Sequence, residues 1–118
     1  MQITMLKCKL HRATVTDASL DYEGSMTIAA DLAERAGLLE FEKILVGNIT
    51  NGNRFETYVI HGPAGSRAIV LNGATAHLGK VGDRLVIMAF AQMTPEDAVN
   101  HRARTLVLDE ANHVVTEK

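Results

Sequence analysis

From Ile3 to Val15 the apolar positions are Ile3, Met5, Leu6, Leu10, Ala13 and Val15, in rough alternation with polar ones. A period near two predicts a half-buried strand. Strands are also predicted at KILVGNIT, RFETYVI, RAIVL, KVGDRLVIMAFAQM, RTLVLD and HVVT. Asn51-Gly52 lies between two of them and is a strong hairpin signal. Helical spacing appears at Ala29, Leu32, Ala33 and Ala36, and Gly37 supplies a stop. A second short helix is expected at TPEDA, with Thr94 as cap and Pro95 in the first position. Asn72-Gly73 predicts a turn into a short helical piece. About seven short strands with so few helices favour a mainly β fold, a small barrel with one or two short helices. The helices are too few to cover a parallel sheet. A small barrel rich in strand edges and apolar residues is expected to oligomerise.

Alternation also sorts side chains by face. In NGNRFETYVI, Arg54, Glu56, Tyr58 and Ile60 point one way, and Phe55, Thr57 and Val59 the other. The second set reads as core. The first carries a fixed cation and a phenol; by pattern alone it reads as a solvated edge with an ordinary Arg54–Glu56 surface pair, ahead of a site face. In KCKLHR, Lys7, Lys9 and His11 share a face opposite Cys8 and Leu10.

The chain has 118 residues, 47% of them hydrophobic, which suits one domain with a real core. Net charge is −2, aromatics are 4% and there is no Trp, so nothing tracks or stacks on a nucleic acid. No apolar run is long enough for a membrane helix. The charges near the N-terminus sit inside the alternating pattern, unlike a signal peptide. A cytoplasmic location is expected, without membrane or nucleic-acid partners. The five His residues show no metal-ligand spacing, so no metal is expected. Cys8 is the only cysteine; it reads as a small apolar filler.

Two Gly-Ser pairs remain. Gly65-Ser66, in HGPAGSR, reads as a loop. Gly24-Ser25, in DYEGSMT, reads either as a turn or as a reactive bond. Tyr22 beside it reads as a core plug or a site residue. Gly73, Ala74 and Thr75 present successive backbone N–H groups at a helix start, the arrangement that holds an oxyanion. Plain turns use Asn-Gly too. On these signals alone the chain is a small β-rich domain with a polar face.

Read together, MLKCKLHRATVT, YEGSMTI, TNGNRFETY, NGATAHL, VGDRLVI and LVLDEAN resemble the pyruvoyl-dependent aspartate 1-decarboxylases. The pieces are colinear and span nearly the whole chain. The resemblance implies a double-psi β-barrel and a homotetramer with active sites between subunits. It implies a precursor that cuts itself between Gly24 and Ser25 into a short chain, 1–24, and a longer one, 25–118. The Ser25 hydroxyl attacks the Gly24 carbonyl, the resulting ester is eliminated, and the new N-terminus loses ammonia to become a pyruvoyl group. That group forms a Schiff base with L-aspartate and serves as its electron sink, giving β-alanine and CO2 for pantothenate biosynthesis. Gly24 is expected to allow a strained, left-handed approach.

Position by position, Tyr58 matches the family's proton donor and Arg54 its carboxylate-binding arginine. Lys9 and His11 match polar residues lining the pocket. Thr57 matches the residue that assists self-cleavage. Tyr22, Asn72, Gly73, Ala74 and Thr75 match positions that shape the site around the reacting carbonyl. Three residues depart from the family pattern: Thr75 in place of Ala, Gly47 where some members carry an aromatic, and Glu56 in place of a frequent Ser. Glu56 is expected to compete for the Arg54 guanidinium. Some members of the family mature with an accessory factor; no residue here reports on that need. Two alternatives stay open: a non-catalytic barrel that binds a partner, and a pyruvoyl enzyme acting on glutamate or cysteate. Along β geometry, Arg54 and Tyr58 are roughly 13 Å apart. A bent strand, or two residues serving different sites, would reconcile that span with a substrate the size of aspartate.

Overall fold

The computed structural model describes all 118 residues, Met1 to Lys118. Nine strands run along the chain: β1 (Ile3–Thr14), β2 (Asp17–Ser19), β3 (Ser25–Ala29), β4 (Lys43–Asn48), β5 (Arg54–Gly62), β6 (Ile69–Asn72), β7 (Arg84–Met93), β8 (Arg104–Leu108) and β9 (Val114–Glu117). Helices α1 (Ala30–Ala36) and α2 (Pro95–Ala98) and a 3-10 turn over Gly73–His77 complete it. The strands form one sheet in the order β2-β6-β3-β5-β4-β7-β1-β8-β9. The expectation of a mainly β fold with short helices holds. Most pairs are antiparallel, but β1–β8, β2–β6 and β3–β5 are parallel.

Strands β2 and β3 fall outside the seven expected from the pattern. β2 has three residues. β3 has five, and all but Thr27 are buried, so it presents a short run with little alternation, wedged between a turn and a helix. Period alone does not identify such a run. The miss matters because β3 begins at Ser25.

The core is a cluster of 21 buried apolar residues drawn from nearly every element. Within β1, Leu10 and Ala13 are both fully buried although an ideal strand would turn them to opposite faces. A break in register between His11 and Ala13, with Arg12 at φ 68°, resets the phase. Cys8 is buried as a filler, and burial pushes its thiol pKa up.

The expected helix ends are present. Gly37, at φ 91°, closes α1 by donating to the carbonyls of Ala33 and Glu34. The Thr94 hydroxyl accepts from Asp97 N to start α2. Between β4 and β5 the chain turns through Gly52, at φ 82°. The loop is wider than a two-residue hairpin, because the last registered pair is Gly47 with Arg54. The Asn48 side chain fills that loop, its Oδ1 accepting from Thr50 N and Asn51 N. No helix is long and apolar enough to cross a membrane.

Candidate active site

Residues 20–24 are exposed, whereas Ser25 and Met26 are buried. The Gly24–Ser25 bond therefore sits where the chain passes from solvent into the sheet. Ser25 is only 3% exposed. Opposite it in the β3–β6 ladder is Asn72, equally buried. One side-chain amide of Asn72 donates to Ser25 Oγ at 3.0 Å and to Thr27 Oγ1 at 2.9 Å, which spends both of its N–H groups. Ser25 Oγ in turn donates toward Glu23 O at 3.4 Å. The hydroxyl thus has a fixed place at the junction rather than a free rotor. Gly65-Ser66 differs on every count. Ser66 is exposed, and its hydroxyl caps a loop by donating to Pro63 O at 2.6 Å.

Gly73 holds the other side of the junction. Its φ is 62°, and a Cβ placed there would lie 2.6 Å from Tyr22 O, 2.7 Å from Gly24 N and 2.8 Å from Gly24 Cα. The backbone of 22–24 rests directly on this glycine. Gly24 itself does not have a positive φ, and a Cβ on it would meet nothing within 4 Å. The expectation of a left-handed Gly24 is therefore corrected: the left-handed, close-packed glycine is Gly73. Tyr22 is corrected as a core plug as well, since it is 69% exposed; its carbonyl makes the approach to Gly73. Thr75 is buried and donates to Asn72 O at 2.7 Å, with Ser25 O at 3.4 Å as a second, longer acceptor. Ala74, the second residue of the 3-10 turn, lies at the surface.

Tyr58 and Thr57 come from the neighbouring strand. The parallel β3–β5 register begins at Met26 with Val59, so one step earlier it sets Ser25 beside Tyr58. The faces expected for β5 hold: Val59 is fully buried, Phe55 packs on the core, and Arg54 and Glu56 are exposed.

Lys9, His11 and Arg54 belong to a second group. His11, Val86, Gly47 and Arg54 are successive partners across β1, β7, β4 and β5. The next row is Lys9, Met88, Leu45 and Glu56. Directly opposed residues share a face. The sheet thus presents Lys9, His11 and Arg54 around an apolar floor. Arg54, Gly47, Val86 and Met88 line an open cleft of about 380 Å³. A Cβ on Gly47 would come 3.8 Å from Arg54 Nη1, so the absent side chain leaves the guanidinium room. Glu56 does not compete for it: Glu56 pairs with Lys43 at 2.8 Å, and Arg54 forms no ion pair within the chain. Cross-strand geometry explains the choice: Lys43 is registered with Tyr58 and Glu56 with Leu45, so the two are diagonal neighbours on one face of adjacent strands. Burial, and then the charges of Lys9 and Arg12, push the His11 pKa down, and its Nδ1 is buried without a partner.

β5 pairs with β4 without a break from Tyr58 to Arg54. No bulge shortens the span between them, so within one chain the Arg54 cleft stands roughly 13 Å along the strand from Tyr58 and the Ser25 junction. Residues missed in the sequence are Thr27, the second acceptor of Asn72, and Val86 and Met88, the floor of the cleft. Thr27 lies two positions from Ser25 and so on its face, which was a readable signal once β3 is known. No group of three or more His, Cys, Asp or Glu side chains is placed to hold a metal ion.

Residues 1–115 match the family model described as "Aspartate decarboxylase". The chain belongs to the aspartate decarboxylase family. Among its relatives, a protein named "Aspartate 1-decarboxylase" from Maricaulis maris is 50% identical over 117 residues, covering 99% of this chain and 97% of that one. Relatives of the same name from Ruminiclostridium cellulolyticum and Caldicellulosiruptor bescii are each 52% identical. They cover 97% and 98% of this chain, and 89% and 90% of their own length. A family match of this extent takes in both the Ser25 junction and the Arg54 face.

Proposed function

We propose that this chain is an aspartate 1-decarboxylase that cuts itself between Gly24 and Ser25, carries a pyruvoyl group made from Ser25, and converts L-aspartate to β-alanine and CO2. The observation that carries the reading is the buried Ser25 hydroxyl, held by the Asn72 amide at a chain junction that rests on Gly73. For self-cleavage, Ser25 Oγ adds to the Gly24 carbonyl and the peptide nitrogen leaves it, turning the amide into an ester. β-Elimination passes the oxygen to Gly24 as its carboxylate. Water then displaces ammonia from the new N-terminus of 25–118. Thr57, on the strand beside Ser25, assists this step.

The site fits the product group. A small planar ketone needs less room than serine, and the Asn72 amide that donates to Ser25 Oγ stands beside it as a hydrogen-bond donor. Once formed, the pyruvoyl ketone supplies an electron sink for the substrate amine. The chain's own residues do the rest. Tyr58 gives a proton to the substrate α-carbon, and Asn72, Ala74 and Thr75 shape the pocket. Arg54 binds the side-chain carboxylate, because an ion pair to the departing α-carboxylate would stabilise the ground state more than the transition state. The separation of Arg54, Lys9 and His11 from Ser25 within one chain supports active sites completed between subunits, in a homotetramer of double-psi barrels. A cytoplasmic role supplying β-alanine for pantothenate biosynthesis is the setting that this chemistry suits.

The reaction is tested with aspartate labelled at one carboxyl or the other. Label in the α-carboxyl is expected in CO2, and label in the side-chain carboxyl in β-alanine. Aspartate left unchanged by the cleaved protein would defeat the proposal. For Arg54→Ala, KM for aspartate is expected to rise by about 10- to 100-fold, the worth of one charge-assisted contact, with a smaller change in kcat. A kcat that collapses at constant KM would place Arg54 elsewhere than on the side-chain carboxylate.

A further inference from the structure

Phe41 is the only large apolar residue of the chain with a left-handed backbone, at φ 71°. That conformation brings Cβ against the following carbonyl, and bulky residues keep it only where their surroundings enforce it. The enforcement is visible. Residues 39–42 link α1 to β4. The Glu42 carboxylate accepts from Leu39 N at 2.9 Å and from Lys7 Nζ on β1. Phe41 N donates to Val59 O at 2.7 Å, and Val59 N donates to Glu42 O at 3.0 Å. The turn is therefore stitched on both sides to the residue that follows Tyr58.

The direction in which this throws the ring is informative. Phe41 is 71% exposed and is not part of the core, yet its ring lies 6.4 Å from that of Tyr58 at 45°. This is the spacing of a favourable tilted aromatic pair. The backbone strain thus secures one contact, on the phenol ring. We propose that Phe41 is a positioning residue for Tyr58: its strained turn holds an aromatic wall that sets the phenol's direction. This rests on the reading of Tyr58 as proton donor. The other groups facing Tyr58 are Lys43, its cross-strand partner, and Glu56, paired to Lys43. Lys7 and Glu42 lie beneath the turn.

A merely structural Phe41 and a positioning Phe41 give opposite results in the variant Phe41→Gly. Glycine relieves the left-handed strain and removes the ring together. The measurement uses self-cleaved enzyme, with kcat counted per cleaved chain. Expected for Phe41→Gly is a Tm equal to or above that of the parent, with kcat lowered about three- to tenfold and KM unchanged, the scale of one aromatic pair. Phe41→Tyr, which keeps a ring, is expected to retain kcat. The chain has two Tyr and no Trp, so ring-labelled tyrosine gives two NMR signals, assigned with Tyr58→Phe. The Tyr58 signal is expected to shift and its ring to flip faster in Phe41→Gly. Parental kcat and an unmoved Tyr58 signal in Phe41→Gly would overturn the proposal, as would equal losses in Phe41→Gly and Phe41→Tyr. Tyr58→Phe separates the two readings. If it keeps full kcat, the proton-donor role fails; if it loses kcat while Phe41→Gly does not, only the positioning role fails.

Discussion

Ser25→Ala is expected to leave one uncut chain of 118 residues with no measurable aspartate decarboxylation. The substitution removes the only oxygen at the junction that can both attack the Gly24 carbonyl and leave with it. Folding is expected to survive. Asn72 loses one acceptor and keeps Thr27 Oγ1, so the cost is about 1–3 kcal/mol, a fraction of the 5–15 kcal/mol typical of a domain. Loss of activity with a retained thermal transition therefore reports chemistry rather than collapse. The matched control is Ser66→Ala. It changes the second Gly-Ser pair, in an exposed loop, and is expected to cleave like the parent. Mass spectrometry and CO2 release read both variants. Cleavage of Ser25→Ala between residues 24 and 25 would show that another group attacks the bond.

Gly73→Ala is expected to slow self-cleavage by at least about tenfold, the effect of roughly 1.4 kcal/mol on a barrier. Two penalties combine there. The left-handed φ of 62° costs an L-residue about 1–2 kcal/mol, and the new methyl would stand 2.6–2.8 Å from the backbone of Tyr22 and Gly24. That segment must shift, and with it the carbonyl that Ser25 attacks. Two other glycines separate the penalties. Gly82, at φ 94°, has nothing within 4 Å of an added Cβ, so Gly82→Ala is expected to lose similar stability from strain alone and to cleave normally. Gly24 has neither a positive φ nor a close neighbour, so Gly24→Ala is expected to fold like the parent. The time course of the uncut band in these three variants checks the assignment. Equal slowing in Gly73→Ala and Gly82→Ala would mean that strain, not the cradle, is responsible.

Much of this was legible in the chain itself, and the reasons differ by element. Alternation along β5 separates Phe55 and Val59 from exposed Arg54 and Glu56, so these four were placed correctly from spacing alone, although Thr57 and Tyr58 are both half-buried. Gly37, Thr94 and Gly52 were readable because local backbone chemistry decides them. β3 was not readable, because a short run buried on nearly every residue loses the period that marks a strand. The identity of the left-handed glycine was also hidden. Gly24 stands beside the bond in sequence, but Gly73 stands against it in space, and only the β3–β6 ladder joins them. The partner of Glu56 was missed for a similar reason. Two residues along β5 suggested Arg54, whereas the adjacent strand supplied Lys43. The row from His11 to Arg54 crosses four strands and has no trace in local sequence.

The central claim is that Ser25 becomes the reactive group by cutting its own chain. It is tested most directly by the intact mass of freshly purified and then warmed protein, with CO2 release from aspartate assayed on the same sample. Two species are expected, Met1–Gly24 and residues 25–118, the larger lighter than its serine-ended mass by one ammonia, with activity rising in step with cleavage. A sample that decarboxylates aspartate while every chain retains its full uncut mass would contradict the claim.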